Sequence, residues 1–263
     1  MEKKSDLHDY VVSVGAGKYT LVFLHYFGGS AKSWSWLIDL LSKEFRCVAL
    51  NLPGFGNTEI HHEPSVEYYA TFVQDALNAV NISSYILIGH SMSGKIAVEM
   101  AAQGHGKAMQ QLILLAPSPP AIERMPEAEK ERMLNHPNKK VAEDTVRKII
   151  VKPISSEQFE TAVVTQLEID ETVWRWWINT GMNTPLRHDT KHLNGVPVTV
   201  VTSADDPCIT LKMIHEDVLP NLPEDVKLIT CAGIGHLYPM EDAEWLAEVI
   251  RSEVVSATAD SGQ

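Results

Sequence analysis

Tyr85-Ile86-Leu87-Ile88-Gly89-His90-Ser91-Met92-Ser93-Gly94-Lys95-Ile96-Ala97-Val98-Glu99-Met100-Ala101-Ala102 changes character twice. The apolar, partly β-branched run to Ile88 reads as a strand, and the small-residue run from Lys95 reads as a helix. Between them a serine stands at a sharp turn. Gly89 and Gly94 flank it because side chains at those positions would collide with the adjoining strand and helix. Leu112-Ile113-Leu114-Leu115-Ala116, with no polar interruption, reads as a further strand buried on both faces.

A serine alcohol is a weak nucleophile until a base takes its proton, and that base needs a carboxylate to hold its tautomer and stabilise its charged form. Two later segments offer both groups on loops after strands. Val198-Thr199-Val200-Val201-Thr202 leads into Ser203-Ala204-Asp205-Asp206-Pro207, and Lys227-Leu228-Ile229-Thr230 leads into Gly233-Ile234-Gly235-His236. Met240, Ala243, Leu246, Ala247 and Ile250 then recur at helical spacing, so His236 lies on the loop before the last helix. The residues themselves leave Asp205 and Asp206 both open as the acid. Pro207 favours Asp206, since it holds the preceding backbone extended.

The strand, the turn at Ser91, and the order serine, acid, histidine resemble the α/β-hydrolase family, whose nucleophile sits on a strained strand-to-helix elbow. The match departs from G-x-S-x-G in having Ser93 where the second glycine stands, with Gly94 following. The resemblance implies Ser91 as nucleophile, His236 as base and Asp206 as acid, Ser203 standing in for a glycine that closes the strand three residues before it. It also implies an oxyanion hole made by the N–H of Met92 and by one from the loop after an earlier strand. That strand is Thr20-Leu21-Val22-Phe23-Leu24, it enters His25-Tyr26-Phe27-Gly28-Gly29-Ser30, and Phe27 supplies the second N–H by resemblance. Tyr26 replaces a usual glycine. Its hydroxyl either packs away or reaches the pocket to donate to the substrate, and the second is expected because a tyrosine beside a polar centre has a partner there. Asn51-Leu52-Pro53-Gly54-Phe55-Gly56-Asn57-Thr58 is similar to a fifth family segment, Asp-x-Pro-Gly-x-Gly-x-Ser.

The rest of the chain alternates strand and helix, as a mostly parallel sheet flanked by helices requires. His8–Val14 reads as an edge strand, Trp34–Ser42 as a helix, Cys47–Asn51 as a strand. Val66, Tyr69, Ala70, Val73, Ala76, Leu77 and Val80 form a helical stripe. From Ser118 to Asn194 no strand is evident and four amphipathic helices are expected, near Glu127–Asn135, Val141–Val151, Glu157–Leu167 and Glu171–Asn179. The expected organisation is therefore an α/β-hydrolase core of residues 1–117 and 195–255, a helical cap of 118–194, and a disordered tail of 256–263. Trp174 and Trp177 share a helical face in the cap and, with Tyr26, are candidate substrate-binding residues; tryptophans over the pocket would favour an apolar acyl group.

Composition narrows the setting. The chain of 263 residues carries 34 acidic and 22 basic residues, a net charge of −12, which argues against nucleic acid or an anionic membrane as partner. No signal peptide or membrane-spanning stretch is evident, and Cys47, Cys208 and Cys231 show no C-x-x-C spacing, so a cytoplasmic location is expected. No metal and no cofactor are called for. His188 and His192 have metal-like spacing but lack the Glu of H-E-x-x-H and read as solvated residues. The expectation is a serine hydrolase cleaving a small to medium, largely apolar carboxylic ester. The same residues would serve a carbon–carbon bond hydrolase, thioesterase, lactonase or perhydrolase, and the reading of a different class is a non-catalytic ligand receptor. Oligomeric state and natural substrate are left open.

Overall fold

The computed structural model describes residues 6–104 and 108–260. Seven strands form one sheet: β1 (Val11–Val14), β2 (Thr20–Leu24), β3 (Arg46–Leu50), β4 (Tyr85–His90), β5 (Met109–Leu115), β6 (Val198–Ser203) and β7 (Lys227–Cys231). Their order is β1-β3-β2-β4-β5-β6-β7, and every pair is parallel except β1 with β3. All residues of β4 and β6 are buried, as their apolar runs require of strands covered on both faces, whereas β7 at the edge is half exposed.

α1 (Ser35–Leu41), α2 (Val66–Ala79) and α3 (Met92–Ala102) connect successive strands of the first half. Because the crossovers β2-α1-β3 and β3-α2-β4 run in opposite senses across the sheet, right-handed connections place α1 and α2 on opposite faces. α2 begins at Ser65, whose side chain accepts from the Tyr68 N–H, and buries Val66, Tyr69, Ala70, Val73, Ala76 and Leu77, the stripe read from the sequence. It packs on α3, while α1 packs on the C-terminal helix that begins at Ala243. The strand order reverses between β2 and β4, which opens a crevice at their C-terminal ends, where α/β sheets hold ligands.

Between β5 and β6 stand α4 (Glu127–Met133), α5 (Lys139–Ile149), α6 (Ser156–Leu167) and α7 (Glu171–Asn179), without a strand among the described residues. Asn138, Ser155 and Asp170 cap the last three by accepting hydrogen bonds from first-turn amides. After β6 come α8 (Leu211–Met213), a π turn at Ile214–Val218 and a 3₁₀ turn at Leu219–Asn221; after β7 come α9 (Tyr238–Glu241) and α10 (Ala243–Asp260).

Three expectations are corrected. The N-terminal edge strand starts at Val11 rather than His8, since Asp6–Tyr10 forms a 3₁₀ turn that buries the Tyr10 ring against Phe72. The last helix is two helices, broken at Asp242, whose φ of −151° and ψ of 69° are not helical. The expected tail from Ser256 continues α10 as far as Asp260, because buried Leu246, Ala247, Ile250 and Val254 anchor the helix and the alanines beyond favour its continuation; residues 261–263 lie outside the described residues.

Candidate active site

Ser91 ends β4 and precedes α3 with φ 54° and ψ −117°, a conformation that non-glycine residues avoid at about 1–3 kcal/mol. The surroundings over-determine it. Its N–H donates to the Leu115 carbonyl at 2.9 Å, and its carbonyl accepts from Gly94 at 2.8 Å and Ser118 at 3.0 Å. A Cβ at Gly89 would lie 2.7 Å from the Ser93 carbonyl oxygen, and one at Gly94 would lie 2.6 Å from Pro117 Cβ, so both glycines are fixed by close approach. Ser93, the departure from G-x-S-x-G, is used: its buried hydroxyl donates to the His25 carbonyl and ties the elbow to the loop after β2.

His236 Nε2 stands 2.9 Å from Ser91 Oγ, and His236 Nδ1 stands 2.8 Å from Asp206 Oδ2. With Nδ1–H donating to the carboxylate, Nε2 is left to accept the serine proton. Asp206 is held in turn. Its Oδ1 accepts from the N–H groups of Cys208 at 2.8 Å and Ile209 at 3.0 Å, and Oδ2 also accepts from the Tyr238 hydroxyl at 3.3 Å. Asp205 points elsewhere, its Oδ2 accepting from Gly233 N–H at 2.7 Å and so clasping the loops after β6 and β7. Of the two aspartates left open by the sequence, the structure therefore brings Asp206 to the histidine.

Burial is the largest influence on His236 and disfavours its charged form. The Asp206 carboxylate, by charge and hydrogen bond, with Glu123 and Glu241 behind it, outweighs burial and raises the imidazole above its ordinary range. His90 is the opposite case. Burial and the neighbouring His236 push it well below the usual histidine range, and the neutral ring donates from Nε2 to the His236 carbonyl at 2.8 Å. His25, lowered to about 4 by burial, donates from Nδ1 to the Tyr26 carbonyl at 2.9 Å and accepts from Leu52 N–H at Nε2.

Met92 opens α3, so its N–H is among the first-turn amides without an intrahelical acceptor, and it directly follows Ser91. Phe27 lines a cavity of about 680 Å³ that also reaches Ser91 and His236. Trp174 and Trp177 line the same cavity; Trp174 stacks on Phe27 with centroids 4.4 Å apart and on His136 at 4.1 Å, and its indole N–H donates to the Met133 carbonyl at 2.7 Å. Trp176 is not part of this wall and packs against Tyr69 and Trp177.

The Tyr26 expectation is corrected. Its ring lines the cavity and also lies under Gly28 and Gly29, where a Cβ would come within 2.9 Å and 2.7 Å of it. The hydroxyl, raised well above the ordinary phenol range by burial, interacts with the side chains of Thr165 and Ser33. A buried phenol found partners in the packed wall, so it is not offered to the reacting carbonyl.

Several charged side chains escaped the sequence reading. Lys95, fully buried on α3, donates from Nζ to the carbonyls of Ala121 at 2.9 Å, Gly181 at 3.3 Å and Met182 at 3.4 Å; burial lowers it to about 8, opposed by Glu123. Glu123 lines the cavity, and its carboxyl is raised by burial against the pull of Ser118 and Lys95. The one signal for Lys95 was a charge set in a small-residue apolar helix; Glu123 carried none. Asp206, Cys208 and His236 bring three potential metal-ligand atoms within 4.8 Å of one another, but the carboxylate and imidazole are engaged as described, and burial with Asp206 keeps the Cys208 thiol protonated. His188 and His192 bind separate carboxylates, Glu99 at 2.6 Å and Asp189 at 2.7 Å, and so do not share a ligand site.

Comparison with known proteins agrees with this architecture. Residues 19–153 match the model of the alpha/beta hydrolase fold family, and the chain belongs to that family. Curated relatives include the human protein named epoxide hydrolase 4, 31% identical over 121 residues, 44% of this chain and 33% of the relative. Another is the pimeloyl-[acyl-carrier protein] methyl ester esterase of Aeromonas hydrophila, 31% identical over 99 residues, 38% of each chain. The matched segments span between 24% and 38% of the curated relatives' own length. Among solved structures, an esterase from Exiguobacterium antarcticum superimposes with a TM-score of 0.84 over 93% of this chain and 94% of its own, at 15% identity.

Proposed function

We propose that the chain is a serine hydrolase cleaving a small to medium, largely apolar carboxylic ester through an acyl-enzyme. The observation that carries this reading is the chain of hydrogen bonds Ser91–His236–Asp206 opening into a cavity walled by Phe27, Trp174 and Trp177. His236 Nε2 takes the Ser91 proton as Oγ attacks the ester carbonyl, and Asp206 stabilises the imidazolium that forms. The N–H groups of Phe27 and Met92 hold the tetrahedral oxyanion. His236 then returns the proton to the departing alkoxide, and a water, deprotonated by the same nitrogen, releases the acid.

The apolar rings supply area for an acyl chain, and the helices of residues 118–194 act as the cap that carries two of them. Likeness to a relative named as a methyl ester esterase is in keeping with an ester substrate. The test is covalent labelling with a fluorophosphonate together with hydrolysis of p-nitrophenyl esters of increasing chain length. Ser91 is the expected labelled residue, and Ser91→Ala and His236→Ala should each fall to background while remaining folded, because nucleophile and base act as a unit. A Ser91→Ala protein within about tenfold of wild-type turnover would remove the nucleophile assignment.

A further inference from the structure

Glu241 is 4% exposed, stands at the end of α9 five residues after His236, and has both carboxylate oxygens turned toward backbone. Oε2 accepts from the N–H groups of Gly235 at 2.7 Å, Val151 at 2.8 Å and Lys152 at 2.9 Å; Oε1 accepts from Leu237 at 2.8 Å. The intervening N–H, that of His236 itself, donates to the Ile149 carbonyl at 2.7 Å. Three successive amides centred on His236 are therefore held by one carboxylate and by the end of α5. Gly235 permits the approach, since a Cβ there would lie 2.4 Å from the Ile149 oxygen. Outside this contact, Lys152 Nζ binds Asp242 at 2.5 Å and Gln158 Nε2 donates to the Met240 carbonyl at 2.8 Å, so the same seam extends to α6.

We propose that Glu241 is a positioning residue that fixes the backbone of His236 and joins it to residues 149–152 of the inserted segment, setting the reach of the imidazole to Ser91. The proposal rests on the reading of His236 as the base. A buried carboxylate that accepts four amide hydrogen bonds is rigid, because moving it strands both the charge and the donors. Displacement of a base by about an ångström costs on the order of a hundredfold in rate. The insertion thereby sets the histidine as well as roofing the cavity.

The test is Glu241→Gln, which keeps the shape but puts an amide nitrogen, itself a donor, against amide donors. Turnover is counted per fluorophosphonate-reactive site, which removes any unfolded fraction. The expected result is a kcat lower by about tenfold to a hundredfold with KM nearly unchanged, and an acid limb of kcat/KM displaced to lower pH. The displacement follows because Asp206 and Glu123 still face His236, with neutral His90 beside it, while the third carboxylate that raises it is gone. Wild-type kcat per reactive site with an unmoved acid limb overturns the proposal. Should the variant not fold, hydrogen exchange on the wild-type protein decides: Gly235, His236, Leu237, Val151 and Lys152 amides opening as one group support it, and independent opening of the 151–152 pair overturns it. Absence of labelling at Ser91 in the wild type would instead remove the proposed function, and this proposal with it.

Discussion

His90 Nε2 donates to the backbone carbonyl of His236 across 2.8 Å, so the residue before the elbow serine fastens the chain that carries the serine's hydrogen-bond partner. The bond joins the ends of β4 and the loop after β7, two segments separated by 146 residues. It requires a proton on Nε2, and burial among Tyr26, Trp34 and Tyr238 keeps the donating ring neutral by disfavouring its charged form.

Stability should therefore fall as pH drops below neutrality. His90 and His25 both have folded values depressed below the ordinary histidine value of 6.5, so the unfolded chain binds more protons between 6.5 and the folded values, about 4 for His25. Each such histidine contributes stability that is complete above pH 6.5 and is lost at about 1.4 kcal/mol per pH unit below it. His236, raised by its carboxylates, runs the other way and offsets part of this. Urea unfolding at pH 7 and pH 5 measures the difference, and the loss should shrink in His90→Gln. A wild-type stability that rises on acidification would contradict the neutral assignment of the two buried rings.

The two aspartates should separate cleanly. Asp206→Asn removes the charge that orients and stabilises His236 and should lower kcat by about a thousandfold or more. Asp205→Asn touches a loop clasp at Gly233, keeps an acceptor oxygen there, and should leave kcat within about threefold while costing up to about 1 kcal/mol of stability. Steady-state kinetics beside thermal unfolding of both variants reads the ranking, and the reverse order would move the acid to position 205.

How far the sequence could be read follows from where its signals come from. The elbow, the alternation of strands and helices and the Ser91, Asp206 and His236 positions are local patterns, each set by a glycine, an apolar run or a proline within a few residues. Lys95, Glu123 and Glu241 were missed because what makes them matter is tertiary: three carbonyls from two loops around Lys95, and four amides from two segments around Glu241. Tyr26 failed for a related reason. Its partners Thr165 and Ser33 lie on α6 and in the turn before α1, and no spacing near position 26 announces them.

The three neighbouring tryptophans of α7 should differ in kind. Trp174 and Trp177 face the cavity, so alanine at either enlarges it and should shift the preferred acyl length upward. Trp174→Ala also strands the Met133 carbonyl and removes the indole stacked on both Phe27 and His136, at about 3–5 kcal/mol, so Trp174→Phe is the informative variant. Trp176→Ala loosens the packing on Tyr69 and should lower stability with the chain-length profile unchanged. A p-nitrophenyl ester series across all three separates wall from support; an altered profile in Trp176→Ala with unaltered ones at 174 and 177 would reverse the assignment.

Tyr26→Phe tests how a bulky residue is accommodated in the loop after β2, which lines the cavity with Ser91 and His236. The ring fills the space beneath Gly28 and Gly29, and phenylalanine preserves that contact, so the Phe27 N–H keeps its place. The hydroxyl interacts with Thr165, which itself donates to the Gly28 carbonyl at 2.9 Å, and with Ser33, which accepts from the Ser30 N–H at 3.2 Å. Its loss should therefore register as stability, up to about 1 kcal/mol for the polar interactions with these side chains that are lost. Turnover should stay within about twofold of wild type, since an oxyanion donor would cost about a hundredfold or more on removal. Kinetics and urea unfolding on the one variant give both quantities. A large fall in kcat at unchanged KM and unchanged stability would mean that the phenol turns into the cavity when substrate binds and donates to the oxyanion after all.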